Sequence, residues 1–457
     1  MIEGLQPYAE YKESGLPWLG LCPKHWRVRR TKILFHERVQ KGFPNEPLLA
    51  ATQTKGVVKK EDYETRTVTA QKDLHLLKLV EVGDYVISLR SFQGGIEVAH
   101  CRGIISPAYT VLKPRESATS GYYSHFFKAK PFIDSLSLFV TGIREGQNID
   151  YERLSRAEMP LPSDDEQAAI VRFLDYANLK IDSFIRAKRM LIALLGEQKQ
   201  TIIHRAVTRG LNPNDLLKPS GIPWLGDIPK HWEVRPIKQL LARMDYGISD
   251  SSLPNGKIRV LTMGHIQGGQ IRVPESGGVN TIPQGLTLQP NDLLFNRTNS
   301  PELVGKVGIF TKVQDAPITF ASYLVRLRTR PEHSPHWLNY MLNSFRFWAF
   351  ARSQALVSLH QANLNSSRYG RMAIPVPPPH EQDEIANHIE AEAGKLNTAI
   401  ARTEREIALM QEYRTRLTAD VVTGKLDVRA AAAKLPILPD DSTLDPLEEI
   451  ESEEIEE

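Results

Sequence analysis

Two cysteines in 457 residues, Cys22 and Cys101, are too few and too far apart for a disulfide framework or a thiolate zinc site. Their scarcity fits a reducing compartment, and a cytoplasmic location is the expectation. No run approaches the ~18 uninterrupted apolar residues of a membrane span. The opening "MIEGLQPYAE" carries an acid and a proline but no apolar stretch, so no secretory signal is expected. Catalytic signatures are missing as well. Gly424-Lys425 lacks the upstream glycine and the hydroxyl residue of a phosphate-cradling loop. Neither a G-x-S-x-G elbow nor an H-E-x-x-H pair occurs. A Gly-rich strand–helix turn for a nucleotide cofactor and the Asn-Pro-Pro-aromatic motif of an amino-methyltransferase are also absent. The acids Asp164-Asp165-Glu166 suit a helix N-terminus, where the macrodipole favours them, better than a nuclease metal site. No catalytic residue and no metal site is therefore expected.

Base is missing from one end. Residues 436–457 hold ten acids and no Lys or Arg, so a net charge of +3 becomes +13 for residues 1–435 once those ten are set aside. A basic body suits a polyanion, because phosphate neutralisation releases counterions. The tail reads as a disordered, solvated appendage, with intramolecular shielding of the body as the alternative.

What the chain does have is repetition. "SGLPWLGLCPKHW" at Ser14–Trp26 returns as "SGIPWLGDIPKHW" at Ser220–Trp232, an offset of 206. "MPLPSDDEQAAIVRFL" at Met159 returns as "IPVPPPHEQDEIANHI" at Ile374, and "VTRGL" at Val207 as "VTGKL" at Val422, both offset by 215. Weaker echoes join "GDYVIS" at Gly83 to "NDLLFN" at Asn291, and "PAYTVLKPR" at Pro107 to "ASYLVRLRTR" at Ala321. Length therefore varies between the Trp phrase and the "EQ" element and is fixed after it. Loops absorb insertions; a helix holding register does not.

The fixed segment has the period of a coiled-coil helix. Ile170, Leu174, Ala177, Ile181, Phe184, Lys188, Leu191, Leu195, Gln198 and Ile202 follow alternating steps of four and three. Ser163 or an Asp caps its start, and Gly210 ends it. The second copy keeps the frame with Ile385, Ile389, Leu396, Ala399, Met410, Tyr413 and Leu417, but places Glu392, Thr403 and Glu406 in the seam. Short β-like runs and one helix each, over 121–136 and 336–353, fill the ~150-residue segments before the helices. The expected fold class is α+β: two repeated globules separated by two long antiparallel coiled-coil helices, with pseudo-two-fold symmetry. The expected boundaries are a first globule over 1–160 and its helix over 161–211, then a linker over 212–219. A second globule over 220–375, its helix over 376–427 and an acidic tail over 428–457 follow.

These ordered repeats resemble the specificity subunit of type I restriction-modification systems, over residues 10–430. The resemblance implies two target-recognition domains on an asymmetric, bipartite double-stranded DNA target. It implies two docked methyltransferase subunits, added restriction-translocase subunits, and S-adenosylmethionine, ATP and Mg²⁺ on those partners rather than on this chain. The tail departs from the family pattern. The Trp phrase, dominated by Trp and Pro, reads as a structural clamp; phosphate contact by Lys24, His25, Lys230 or His231 is the alternative.

Base edges are read by Arg, Lys, Asn, Gln and similar side chains on loops or helices. In the first globule the candidates are Lys55, Lys59, Lys60, Arg90, Gln93, Arg144, Gln147 and Asn148. In the second they are His265, Gln267, Gln270, Arg272, Asn296, Arg297, Asn299, His360, Gln361 and Asn363. Residues 144–148 and 359–363 stand at equivalent places, 215 apart. Beside the helix seam, Phe173, Leu179, Ile185, Ile192, Leu194 and Ile203 widen the apolar stripe beyond one partner helix. They are candidates for docking methyltransferase helices, unless the globules fold back over them. A coiled-coil scaffold binding proteins instead of DNA is the competing reading.

Overall fold

The computed structural model describes residues 5–62, 73–115, 121–141, 148–311, 316–358 and 361–436. Their contacts divide into two compact units. One joins the residues up to Lys188 to those from Arg405 onward; the other is Arg189–Glu404. The units thus do not follow the repeats, since each takes part of both long helices.

The chain is mixed α and β. In the first unit the sheet order is Phe35–Glu37, Thr110–Pro114, Tyr85–Ile87, Glu97–Val98. In the second, Leu241–Tyr246, Leu324–Thr329, Leu293–Asn296 and Val307–Ile309 repeat that order, extended by an edge hairpin of Ile266–Gln267 and Gln270–Ile271. The weak echo at Gly83 and Asn291 becomes one turn made twice. Both residues have left-handed backbone, φ 85° and 71°. The next aspartate accepts a backbone N–H three residues upstream, at 2.9 Å for Asp84 and 2.8 Å for Asp292. Each of these buried carboxylates also holds an arginine at 2.6 Å, Arg38 and Arg328 respectively. Each expected short helix is in fact two: Tyr122–Phe126 with Lys130–Leu136, and Pro335–Leu342 with Phe345–Ser353. Extended backbone at Ala129 and Ser344 makes the breaks.

The long helices run Asp164–Arg209 and Pro379–Val422. Ser163 stands at the cap position by accepting the Gln167 N–H at 2.8 Å. In the first unit Lys188 meets Glu406 at 2.7 Å and Arg414 pairs with Asp182, so the segments there are antiparallel. Two polar seam positions therefore satisfy each other. In the second unit Lys199 donates to Asn397 at 2.8 Å. The first seam does not hold throughout: Leu191 and Gln198 are exposed, and burial moves to Ile203, Ala206 and Val207. A 3.5-residue repeat drifts ~20° per heptad on a straight helix, enough over several heptads to rotate the buried face. Residues 428–436 are not part of the tail. Arg429–Lys434 is a helix whose Ala432, with Val428, is buried in the first core.

The repeated motifs account for each other. Within each Trp phrase a loop closes a small hairpin, through Ser14 N to Gly20 O at 2.9 Å and Ser220 N to Gly226 O at 3.1 Å. Trp26 and Trp232 follow, both fully buried. The histidine before each tryptophan bonds the glutamate of the "EQ" element: His25 to Glu166 at 2.8 Å and His231 to Glu381 at 2.7 Å. The glutamine beside it is buried and donates to a proline carbonyl before its helix, Gln167 to Pro162 at 3.1 Å and Gln382 to Pro377 at 2.9 Å. Helix-ending glycines complete the clamp. A Cβ on Gly210 would stand 3.2 Å from the Trp232 ring, and one on Gly424 2.4 Å from Pro23 and 3.0 Å from the Trp26 ring. The phrase is a structural clamp, with His25 and His231 occupied inside their own units.

His204 brings a pH sensitivity to the second unit. Burial, then Arg346 and Arg209, push its pKa down to about 4, and its ring packs 4.7 Å from Phe345. A base with a depressed folded pKa takes up protons more readily when unfolded, so stability falls as pH drops from about 6.5 toward about 4. With its partial exposure discounted, the loss should be on the order of 1–2 kcal/mol. Thermal unfolding between pH 7 and 5 should show a drop in wild type that His204→Gln reduces; equal drops would contradict this.

Candidate nucleic-acid interface

In the first unit, three candidate segments meet. A hairpin of Leu49–Thr52 and Gly56–Lys59 carries Lys55, exposed at its turn, and Lys59, which stands 3.7 Å from Glu61. Thr52 fixes that turn, its hydroxyl donating to Gly56 O at 2.9 Å and accepting from Lys55 N at 2.9 Å. Lys60 follows, half-buried. The helical turn Ser91–Gly94, with exposed Arg90 and Gln93, lies against this hairpin: a Cβ on Gly94 would fall 2.8 Å from the Gln53 side chain. The same turn contacts the strand Asn148–Ile149. Arg144 and Gln147 lie outside the described residues, as does the side chain of Asn148.

The second unit sorts its candidates differently. Residues 298–299, 361–363 and 356–358 form a small three-stranded sheet, separate from the large one. Its hairpin, Leu356–Ser358 with Gln361–Asn363, stands where Val140–Thr141 pairs with Asn148–Ile149 in the first copy. After each hairpin an Asx cap starts a helix: Asp150 accepts from Arg153 N at 3.2 Å, Asn365 from Arg368 N at 3.1 Å. At the sheet's base the Arg297 guanidinium lies 5.1 Å from the ring centre of Tyr246, which is 46% exposed. Its terminal nitrogens reach Ser322 O at 3.4 Å and Asn363 Oδ1 at 3.5 Å, long contacts that leave it weakly held. Asn363 is itself oriented by donating to Thr298 at 2.9 Å. Asn299 is half-buried beside them, its side chain turned onto Ser300 N at 2.8 Å, and Gln361 is exposed. His360 lies outside the described residues.

Two expectations need correction, for Asn296 and for the docking stripe. Asn296 is 1% exposed in a central strand, so it faces the core and not a ligand. His265 serves its own backbone: its Nδ1 accepts from Thr262 N at 2.8 Å, capping the turn Met263–His265. That turn and Gln267, half-buried, belong to the edge hairpin of the large sheet rather than to the Arg297 cluster; Arg272 there is exposed. Among the docking candidates, Phe173 and Ile203 are core residues of their units and Ile185 is 7% exposed, so none offers a free face. Leu179 and Ile192 are half-buried; Leu194 is 55% exposed. Met190, which the periodicity missed, at 58%, and the seam residue Leu191, at 39%, stand exposed beside it in sequence. Also missed were Tyr246 and the exposed Leu356 and Val357 of the hairpin. A strand-end aromatic near an arginine is too common a pattern to single out.

Among the described residues no cluster of three His, Cys, Asp or Glu is placed to hold a metal, and no helix is long and apolar enough to cross a membrane. No family model matches the chain. It is 23% identical over 350 residues to the type I restriction enzyme EcoKI specificity subunit of Escherichia coli (strain K12), covering 71% of this chain and 73% of that protein. It is 22% identical over 351 residues to the type I restriction enzyme StySPI specificity subunit of Salmonella potsdam, with the same coverages of 71% and 73%. A chain solved in work on complex assembly and conformational transition of the type I R-M system superposes with a TM-score of 0.65 at 14% identity. That superposition covers 88% of this chain and 98% of the other, and it establishes a shared fold.

Proposed function

We propose that this chain, similar at 22–23% identity to type I restriction enzyme specificity subunits, reads an asymmetric, bipartite DNA sequence and holds methyltransferase and restriction subunits on it. One observation carries the reading. Each unit has an antiparallel strand pair at the same place in the repeat, Val140–Thr141 with Asn148–Ile149 and Leu356–Ser358 with Gln361–Asn363, and the two differ in sequence. Shared backbone with unlike side chains is what two readers of two unlike half-sites require. The chain specifies; S-adenosylmethionine, ATP and Mg²⁺ work on its partners. The exposed Met190, Leu191 and Leu194 support docking of a partner helix on the first long helix.

A body of charge +13 over residues 1–435 favours phosphate contact. Binding of the chain, assembled with its methyltransferase, to a duplex should weaken with salt at a log–log slope on the order of −4 or steeper. Titration at 50 to 200 mM salt checks this, and a slope near zero would exclude DNA as the ligand.

A further inference from the structure

We propose that Lys128 in the first unit, and Asn343 acting with Asn339 in the second, are positioning residues that lock recognition loops onto the sheet. The inference rests on the DNA-reading function and adds residues that do not themselves touch bases.

Lys128 and Asn343 are equivalent, 215 residues apart. Both follow helices whose inward residues match one for one: Tyr122, Tyr123, Phe126 and Phe127 against Trp337, Leu338, Met341 and Leu342, all fully buried. Lys128 Nζ donates to Gln53 O at 3.0 Å, to Gly94 O at 2.9 Å, and to the Glu97 carboxylate. Three donors thus meet three acceptors, one on the Lys55 turn, one on the Arg90–Gln93 turn and one on the sheet. Glu97 is 3% exposed, and its other oxygen has no partner among the described residues, so Lys128 is what offsets its burial. The loops are closed to alternatives: a Cβ on Gly95, whose φ is 88°, would sit 2.2 Å from Phe127 O.

Asn343 performs the equivalent task with a neutral amide. It accepts from Val307 N at 3.1 Å and donates to Val307 O at 2.9 Å, on the strand that occupies the place of Glu97–Val98. It also donates to Asn339 Oδ1 at 3.0 Å, and Asn339 donates to Gly269 O at 2.9 Å. Gly269 lies in the turn between Gln267 and Gln270. In both copies, then, a polar residue just behind the aromatic or apolar helix, joined in the second by Asn339 of the helix itself, ties one sheet strand to a loop bearing candidate base readers. The chemistry differs, ionic in one and amide in the other, while the connection is the same.

The test separates holding a loop from holding the fold. Lys128→Met alone leaves Glu97 buried without a counterion and is expected to destabilise the first unit. The double variant Lys128→Met/Glu97→Gln removes both charges, keeps the volumes and still frees the two turns. Wild type, this double variant and Asn339→Leu would each be assembled with the methyltransferase partner and used to select from a randomised duplex pool. Sequencing the bound fraction reads base preference at each half-site separately. The double variant should lose about tenfold in preference at one half-site, Asn339→Leu about tenfold at the other, with unfolding midpoints close to wild type. Unchanged preferences, or losses shared equally by both half-sites, would overturn the proposal while leaving DNA reading intact. A wild-type complex with no base preference would overturn both.

Discussion

Trp232→Ala should cost the second unit about 3–5 kcal/mol through the cavity left by a fully buried ring. A further ~1.5 kcal/mol should follow, because its Nε1 donates to the Glu381 carboxylate at 2.9 Å. Trp26→Ala should cost the first unit the cavity alone. There the indole N–H has no partner among the described residues, and Glu166 instead accepts from Tyr8 at 2.6 Å and bonds His25. The same thirteen-residue phrase therefore predicts unequal penalties. Hydrogen exchange of core strand amides would measure them unit by unit, since it reports local opening free energies. Equal penalties would show that the clamp's polar half adds nothing.

Arg297→Ala should relax base preference at one position of one half-site by roughly fivefold to more than a hundredfold, the 1–3 kcal/mol of a bidentate arginine contact. Its guanidinium is oriented by Tyr246 while its hydrogen bonds to protein are long, so little must be given up when a base arrives. The neighbouring Asn296→Ala makes the control. Asn296 is in the core, and its replacement should move stability without moving preference. Pool selection with both variants checks the pair. A loss of preference from Asn296→Ala with none from Arg297→Ala would invert the assignment.

The frame was legible in the sequence because duplication writes each constraint twice. Glu166 and Glu381 stand out only as a pair, and so do the histidines that they bond. Helix periodicity located both rods, yet it misjudged the face beyond Leu191. A pattern of 3.5 cannot report how a helix of 3.6 will rotate, and Phe173 and Ile203 were claimed by globules that local sequence does not see. The site was less legible. Asn296 and Arg297 are adjacent polar residues of similar promise in sequence, but Asn296 closes a strand buried throughout, while Arg297 follows the strand's end and is only half-buried. The ring of His265 is oriented by its own backbone, a local bond that composition does not announce. Lys128 and Asn343 share no chemistry, so neither composition nor motif could pair them; only their place behind matching helices does.

The central claim is that one chain carries two dissimilar readers. Selection of a randomised duplex pool by the wild-type chain, assembled with its methyltransferase, tests it directly. Two blocks of base preference, different in sequence and set apart by a constant indifferent spacer, are the predicted result. A single block, a palindrome, or no preference at all would contradict it.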